Sequence, residues 1–197
     1  MKTINLIPII LFALFSFCRT TAQSQTMPQN EPSLSDTSKA HVITINSNVP
    51  DVLNLDRGTI RFLATSKVTK GAFTVVELKE MPGYKTPLHL HPHSDEAFYV
   101  IEGVLTVNIN GNINDYPAGS YILIPRGTPH GQGTFGTVPT RVLITFTPSA
   151  YEEFFRDRIE LFKTVKPDSP EFIDKFNELR RKHAKEVEIL GTWDIKK

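Results

Sequence analysis

Two histidines one residue apart, an acid five residues further on and a third histidine beyond it could do metal chemistry: His89, His91, Glu96 and His130. On a strand alternate side chains share a face, so His89 and His91 present both imidazoles to one side. Pro92 to Asp95 reads as a turn. Glu96 then opens the next strand, from which its carboxylate can point back into the same cavity. His130 follows the turn Pro125-Arg126-Gly127-Thr128-Pro129 and closes the cluster. Three neutral imidazoles and one carboxylate form a borderline ligand set. It suits one divalent transition metal ion (Fe, Mn, Cu, Co, Ni or Zn) and disfavours Ca and Mg. Four ligands leave room on a five- or six-coordinate ion for a substrate oxygen or O₂. A lone histidine is more often a surface residue than a ligand, but four groups at coherent spacing reverse that balance. His93 shares the parity of His89 and His91, yet Pro92 breaks the strand before it, so His93 is assigned to the rim. His41 and His183 lie far off in sequence and receive no role.

Short strands must position these groups. Val42–Ile45, Thr59–Ala64, Ala72–Lys79, Glu96–Ile101, Leu105–Ile109, Tyr121–Ile124 and Val142–Phe146 are rich in Val, Ile, Phe, Tyr and Thr and are bounded by turn residues. Asn110-Gly111 is the strongest hairpin signal. Closely spaced short strands indicate a sandwich or barrel. After Pro148 the pattern turns helical. Ser149-Ala150-Tyr151-Glu152 reads as a capping box ahead of a helix carrying Phe154, Phe155, Ile159 and Phe162. Ser169 as N-cap and Pro170 as first helical residue start a second helix, with Phe172, Ile173, Phe176 and Leu179 on its apolar face. The reading is an all-β barrel domain over 41–148 with a helical extension over 149–197.

The first residues read as a processing signal. Lys2 precedes a nearly unbroken apolar run from Leu6 to Phe17, too short to span a bilayer. Thr20-Thr21-Ala22 supplies the small residues of a cleavage site, so 1–22 is expected to be a signal peptide and the mature chain to begin at Gln23. A competing reading lipidates Cys18, but Phe17 stands where a lipobox has a small residue. Residues 23–40 are rich in Gln, Ser, Thr and Pro and are expected to form a flexible linker. Export to the periplasm or medium follows, with no stable membrane insertion after processing. Cys18 is the only cysteine, so the mature chain has no disulfide framework and no thiolate ligand. The whole chain carries a net charge of +1 with no basic block, which argues against a nucleic-acid partner.

The metal-site residues closely resemble the cupin superfamily. Its first motif is matched by Gly83, His89, His91, Glu96 and Gly103, every spacing included. Its second is matched by Gly119, Pro125, Gly127 and His130, with Thr134 at the position that usually holds Asn, a departure that bears on turn bonding more than on the metal. The segments Pro87–Gly103 and Ile124–His130, and the tail from Pro148 to Phe155 and on to Gly191, further resemble single-domain cupins of the quercetin 2,3-dioxygenase-like group. The resemblance implies a cupin (jelly-roll) β-barrel, a small-molecule substrate and a homodimer formed through strands near the start of the barrel. It implies a dioxygenase for a flavonol-like or other small hydroxylated aromatic compound, with Glu96 both a ligand and the base that takes the substrate's hydroxyl proton. Two other uses of the fold stand beside it: a non-enzymatic small-molecule-binding cupin, and a cupin isomerase or decarboxylase.

Overall fold

The computed structural model describes residue 44, residues 52–167 and residues 169–195. The expected signal peptide, linker and, apart from Thr44, the strand Val42–Ile45 lie outside these residues. Among the described residues the strands are β1 Val52–Leu55, β2 Gly58–Ala64, β3 Thr74–Glu80, β4 Leu88–Leu90, β5 Asp95–Glu102, β6 Val104–Ile109, β7 Asn112–Pro117, β8 Tyr121–Ile124, β9 His130–Gly133, β10 Thr140–Thr147 and β11 Glu188–Gly191. The helices are α1 Ser66–Thr69, α2 Glu152–Thr164 and α3 Pro170–Lys182. The result is mostly β, in two antiparallel sheets with strand orders β1-β2-β3-β10-β5-β8 and β11-β4-β9-β6-β7. This is the expected cupin-like architecture, with α1 as a third, short helix.

Period-two patterning builds the interior. Val76 and Leu78 of β3, Phe98 and Val100 of β5, and Val142, Ile144 and Phe146 of β10 alternate inward and are fully or almost fully buried. Leu105 and Val107 of β6 join the same apolar core from the other sheet. Burying such side chains contributes about 1.5–3 kcal/mol each relative to exposure. That core underlies the strands that carry His89, Glu96 and His130.

Two turns fix register. Asn110 and Gly111 both have positive φ, 51° and 86°, as a two-residue primed turn requires, and they pair Ile109 with Asn112. Gly103 has φ 76°, and a Cβ there would lie 2.6 Å from the carbonyl oxygen of Pro139. Only glycine fits that turn between β5 and β6.

The tail departs from expectation in two places. No capping box forms: Tyr151 occupies the cap of α2 in a left-handed conformation with no side-chain cap bond. Ser149 instead bonds to the Thr74 hydroxyl on β3. Ser169 does cap α3, accepting from Phe172 N–H at 3.1 Å with Pro170 in the first turn. Beyond α3 the extension is not helical. Glu188–Gly191 is a strand that pairs with β4, so the tail forms an edge of the sheet that carries His89 and His130.

Candidate metal centre

His89 lies on β4 and faces His130 of β9 directly across the strand pair. His91 follows β4 at the same parity. Glu96 is the second residue of β5 and points inward beside Phe98. The turn before β9 is pinned to the start of β5, where Asp95 accepts from the Arg126 backbone N–H at 2.9 Å and from its guanidinium at 3.0 and 3.1 Å. Gly127 N–H donates to the His91 carbonyl at 2.8 Å, joining that turn to the end of β4. Three strands and one clamped turn therefore bring the four groups together. One ligand atom from each of His89, His91, Glu96 and His130 lies within 4.8 Å of all the others, and all four residues are buried.

The hydrogen bonds leave these atoms suited to a cation. Each imidazole donates Nδ1–H to a backbone carbonyl: His89 to Pro87 at 2.8 Å, His91 to Glu186 at 2.9 Å and His130 to Thr128 at 2.8 Å. That turns every Nε2 inward, the arrangement of ligating histidines with outer supports. His130 Nε2 lies 2.7 Å from Glu96 Oε2 and bonds to it. His91 Nε2 lies 3.2 Å from the same oxygen but out of line, and it is buried with no hydrogen-bond partner. An orphaned buried nitrogen is costly unless something fills its lone-pair direction. A transition metal ion would fill it, and three imidazoles with one carboxylate are a matching donor set.

Charge within the cluster follows from burial and contact. Burial opposes ionisation of Glu96, but the hydrogen bond from His130 at 2.7 Å and the polar rings of His130 and His91 beside it outweigh it and hold the carboxyl well below its usual range. Burial disfavours the His130 imidazolium, yet the hydrogen bond to Glu96 and its charge raise His130 above its ordinary value. His89, buried beside His130 and His91, is pushed down to about 3 and stays neutral. A proton shared between His130 and Glu96 thus takes the place a cation would occupy.

His93 is exposed, as a rim residue should be. His183 is buried at the junction of α2 and α3, 2.7 Å from Asp157 Oδ2. Several inward groups escaped the sequence reading. Tyr151 lies edge-on to His91 with ring centroids 4.8 Å apart and parallel to His89 at 6.5 Å, and it also packs on Phe146, Phe154 and Phe155. Nothing in the local sequence announces that placement. Glu80 is fully buried at the end of β3, where Thr134 donates to its Oε2 at 2.9 Å. Parity could have found it, because Thr74, Val76, Leu78 and Glu80 share one face. Thr134, in place of the usual Asn, acts on that acid, and its backbone also bonds to Tyr84 and Gly83. His130 and Gln132 share a face of β9 and Thr134 continues their parity, so a polar row runs from His130 to Glu80.

Comparison with known proteins agrees with this geometry. Residues 76–146 match the family described as the Cupin domain. The tetracenomycin polyketide synthase protein TcmJ of Streptomyces glaucescens is 34% identical over 96 residues, covering 47% of this chain and 63% of that protein. Quercetin 2,3-dioxygenase of Bacillus subtilis is 29% identical over 96 residues, covering 49% of this chain and 28% of that enzyme. The uncharacterized protein MJ1618 of Methanocaldococcus jannaschii is 31% identical over 100 residues, covering 50% of this chain and 80% of that one. This chain thus spans less than two thirds of the first two relatives. Among solved structures, KdgF from Halomonas sp. shares the fold with a TM-score of 0.51 at 20% identity, over 58% of this chain and 98% of that one. With the first motif filled, the second matched up to Thr134, four inward donors assembled and a relative matched over most of its length, the chain belongs to the cupin superfamily.

Proposed function

We propose that this cupin is an exported, metal-dependent dioxygenase acting on a small hydroxylated aromatic compound of flavonol type. The observation that carries the reading is the set of four inward donors with His91 Nε2 left unpartnered beneath an aromatic roof. Tyr151 and Phe146 place aromatic rings against His91, a wall of the kind that pairs with an aromatic ring. A 220 Å³ hollow bordered by Ser66, Ser149, Tyr151, Glu152 and Glu186 marks the outer side of that roof and is the proposed approach. Similarity to quercetin 2,3-dioxygenase supports the reaction class.

In this reading His89, His91, Glu96 and His130 hold the ion. A bound transition metal supplies Lewis acidity to a substrate oxygen and open positions for substrate and O₂. Glu96 is a ligand and takes the substrate's hydroxyl proton. Its carboxyl is held ionised here, with His130 bonded to it, the form needed to accept a proton. Were His130 to turn its Nε2 lone pair to a cation, the hydrogen bond that depresses Glu96 would be lost, and the proton affinity of Glu96 would rise. Tyr151 excludes water above the ligands. Oxygen uptake by metal-loaded protein with a flavonol panel tests the reading, and Glu96→Gln should lower turnover by at least 100-fold with metal retained. A near-normal rate in that variant removes Glu96 from the base role.

A second reading draws on the polar row Gln132–Thr134–Glu80, which suits an oxygen-rich substrate better than a flat apolar one. It is an isomerase or decarboxylase, and product formed without O₂ would select it. Ligand-induced thermal stabilisation without turnover would select a binding module. The homodimer is part of the proposal and is checked by sedimentation.

A further inference from the structure

The three imidazoles of the centre are oriented in two different ways. His89 and His130 each donate Nδ1–H to the carbonyl two residues earlier, on Pro87 and Thr128. Those acceptors are local, so both rings are set once β4 and β9 form. His91 uses no such local acceptor. Its Nδ1–H donates to the carbonyl of Glu186, 95 residues away along the chain, at 2.9 Å. A neutral imidazole carries one N–H, and the nitrogen that keeps it decides which one offers its lone pair. The Glu186 carbonyl therefore selects the tautomer in which His91 Nε2 faces the cluster.

The turn that carries this carbonyl is itself held from three sides. Glu186 N–H and Val187 N–H both donate to the His183 carbonyl, at 2.8 and 3.0 Å, and close the turn after α3. The Glu186 carboxylate accepts from the Tyr151 backbone N–H at 3.0 Å, at the start of α2, where Tyr151 has φ 72°. His183 Nε2 sits 2.7 Å from Asp157 of α2 and ties the two helices together. Immediately beyond the turn, β11 pairs with β4 and sets Ile189 opposite His89. The bond to Tyr151 N–H and the pairing of Ile189 with His89 lead back to the cluster and to the tyrosine packed on it.

We propose that residues 183–191 are a working part of the metal centre and that Glu186 is a positioning residue for His91. Its carbonyl orients the ring, and its carboxylate clamps the turn to Tyr151. The proposal rests on the reading of the four side chains as a metal site. It makes metal affinity depend on a segment outside residues 76–146, which carry the family pattern. The barrel strands alone would hold two oriented imidazoles and leave the third free to turn. Loss of such an outer support costs about 10- to 100-fold in metal affinity.

The test is Co(II) affinity of the full chain, by competition with a chromophoric chelator. Glu186→Ala and Glu186→Gln are measured alone and in the His91→Ala and His89→Ala backgrounds. The Glu186 side chain is 33% exposed, so its removal opens no buried void. Glu186→Ala should bind about 10-fold more weakly. Glu186→Gln, whose amide oxygen still accepts from Tyr151 N–H, should remain near the parent. The Ala penalty should vanish when His91 is absent and persist when His89 is absent, the signature of action through one ligand. Equal penalties in both backgrounds, or parent-like affinity in Glu186→Ala, would overturn the proposal while leaving the metal site standing. A parent protein that takes up no Co(II) would overturn the site reading itself, and the proposal with it.

Discussion

Glu80 is where burial and charge conflict most sharply outside the ligand cluster. Its carboxyl is fully enclosed, and Oε1 has no hydrogen-bond partner. Burial pushes it up to about 8, and the nearby Glu96 adds to this, against hydrogen bonds from Thr134 and Gln132. Glu80 is therefore a neutral acid at pH 7, free to donate as well as accept. The folded state holds its proton between the unfolded pKa near 4.5 and the folded value near 8. Its stabilising contribution is thus complete below the lower value and is lost as pH rises through the upper one, by up to about 1.4 kcal/mol per pH unit. Glu80→Gln keeps the shape and hydrogen bonds without the titration. Urea unfolding between pH 5 and 9 should show a shallower decline with pH in the variant than in the parent. Parallel curves would mean that Glu80 is already ionised at neutral pH.

At the scale of elements, legibility in the sequence tracked how far each segment's pattern is local. Tyr121–Ile124 was read at its observed bounds, and β2, β3, β5, β6 and β10 within two residues at each end, because their apolar alternation is strong. The strand β7 was missed although its hairpin turn was recognised. Asn112–Pro117 carries Asn, Asp and Pro, and it forms because Asn110-Gly111 delivers it against β6. The grouping of His89, His91, Glu96 and His130 was legible because each lies in a motif of fixed internal spacing, although His130 is 34 residues beyond Glu96. Tyr151 and Glu186 were not, because their contacts span long sequence separations. The strand β11 was likewise hidden, since its partner β4 lies about a hundred residues earlier. The same tail offers a test at Gly131 on β9. A Cβ there would collide with the indole nitrogen of Trp193 and approach the Pro87 carbonyl at 3.1 Å. Trp193 Nε1 donates to the Thr86 carbonyl at 2.9 Å, so the indole cannot step aside without losing that bond. Gly131→Ala should cost about 1–3 kcal/mol, seen as a lower unfolding midpoint. An unchanged midpoint would show that the tail beyond β11 packs loosely on the sheet.

On the scale of the whole molecule, the cluster of His89, His91, Glu96 and His130 joins both sheets: β5 lies in one, and β4 and β9 in the other. A cation held by all four would cross-link the barrel at a place where no disulfide does, and binding to the folded state alone raises stability by about 2.7 kcal/mol at 100 times the dissociation constant. The direction with pH follows from His130. Without a cation, burial lowers His130 but its bond to Glu96 raises it more. That pairing therefore stabilises the fold at low pH, and its contribution is lost as pH rises through the raised folded value. A cation must displace the same proton, so its affinity grows with pH over that window. The metal-free and metal-loaded proteins should diverge in melting temperature as pH rises from about 5 to 8, with the loaded form gaining. Thermal unfolding with Co(II) and with a chelator, at matched pH steps, measures that gap. A gap that stays constant with pH would show that the ion does not compete for the His130 proton and does not bind at His130 Nε2. A gap that widens, and collapses in His130→Ala, would show that the cation takes the position in which this proton now holds β5 to β9.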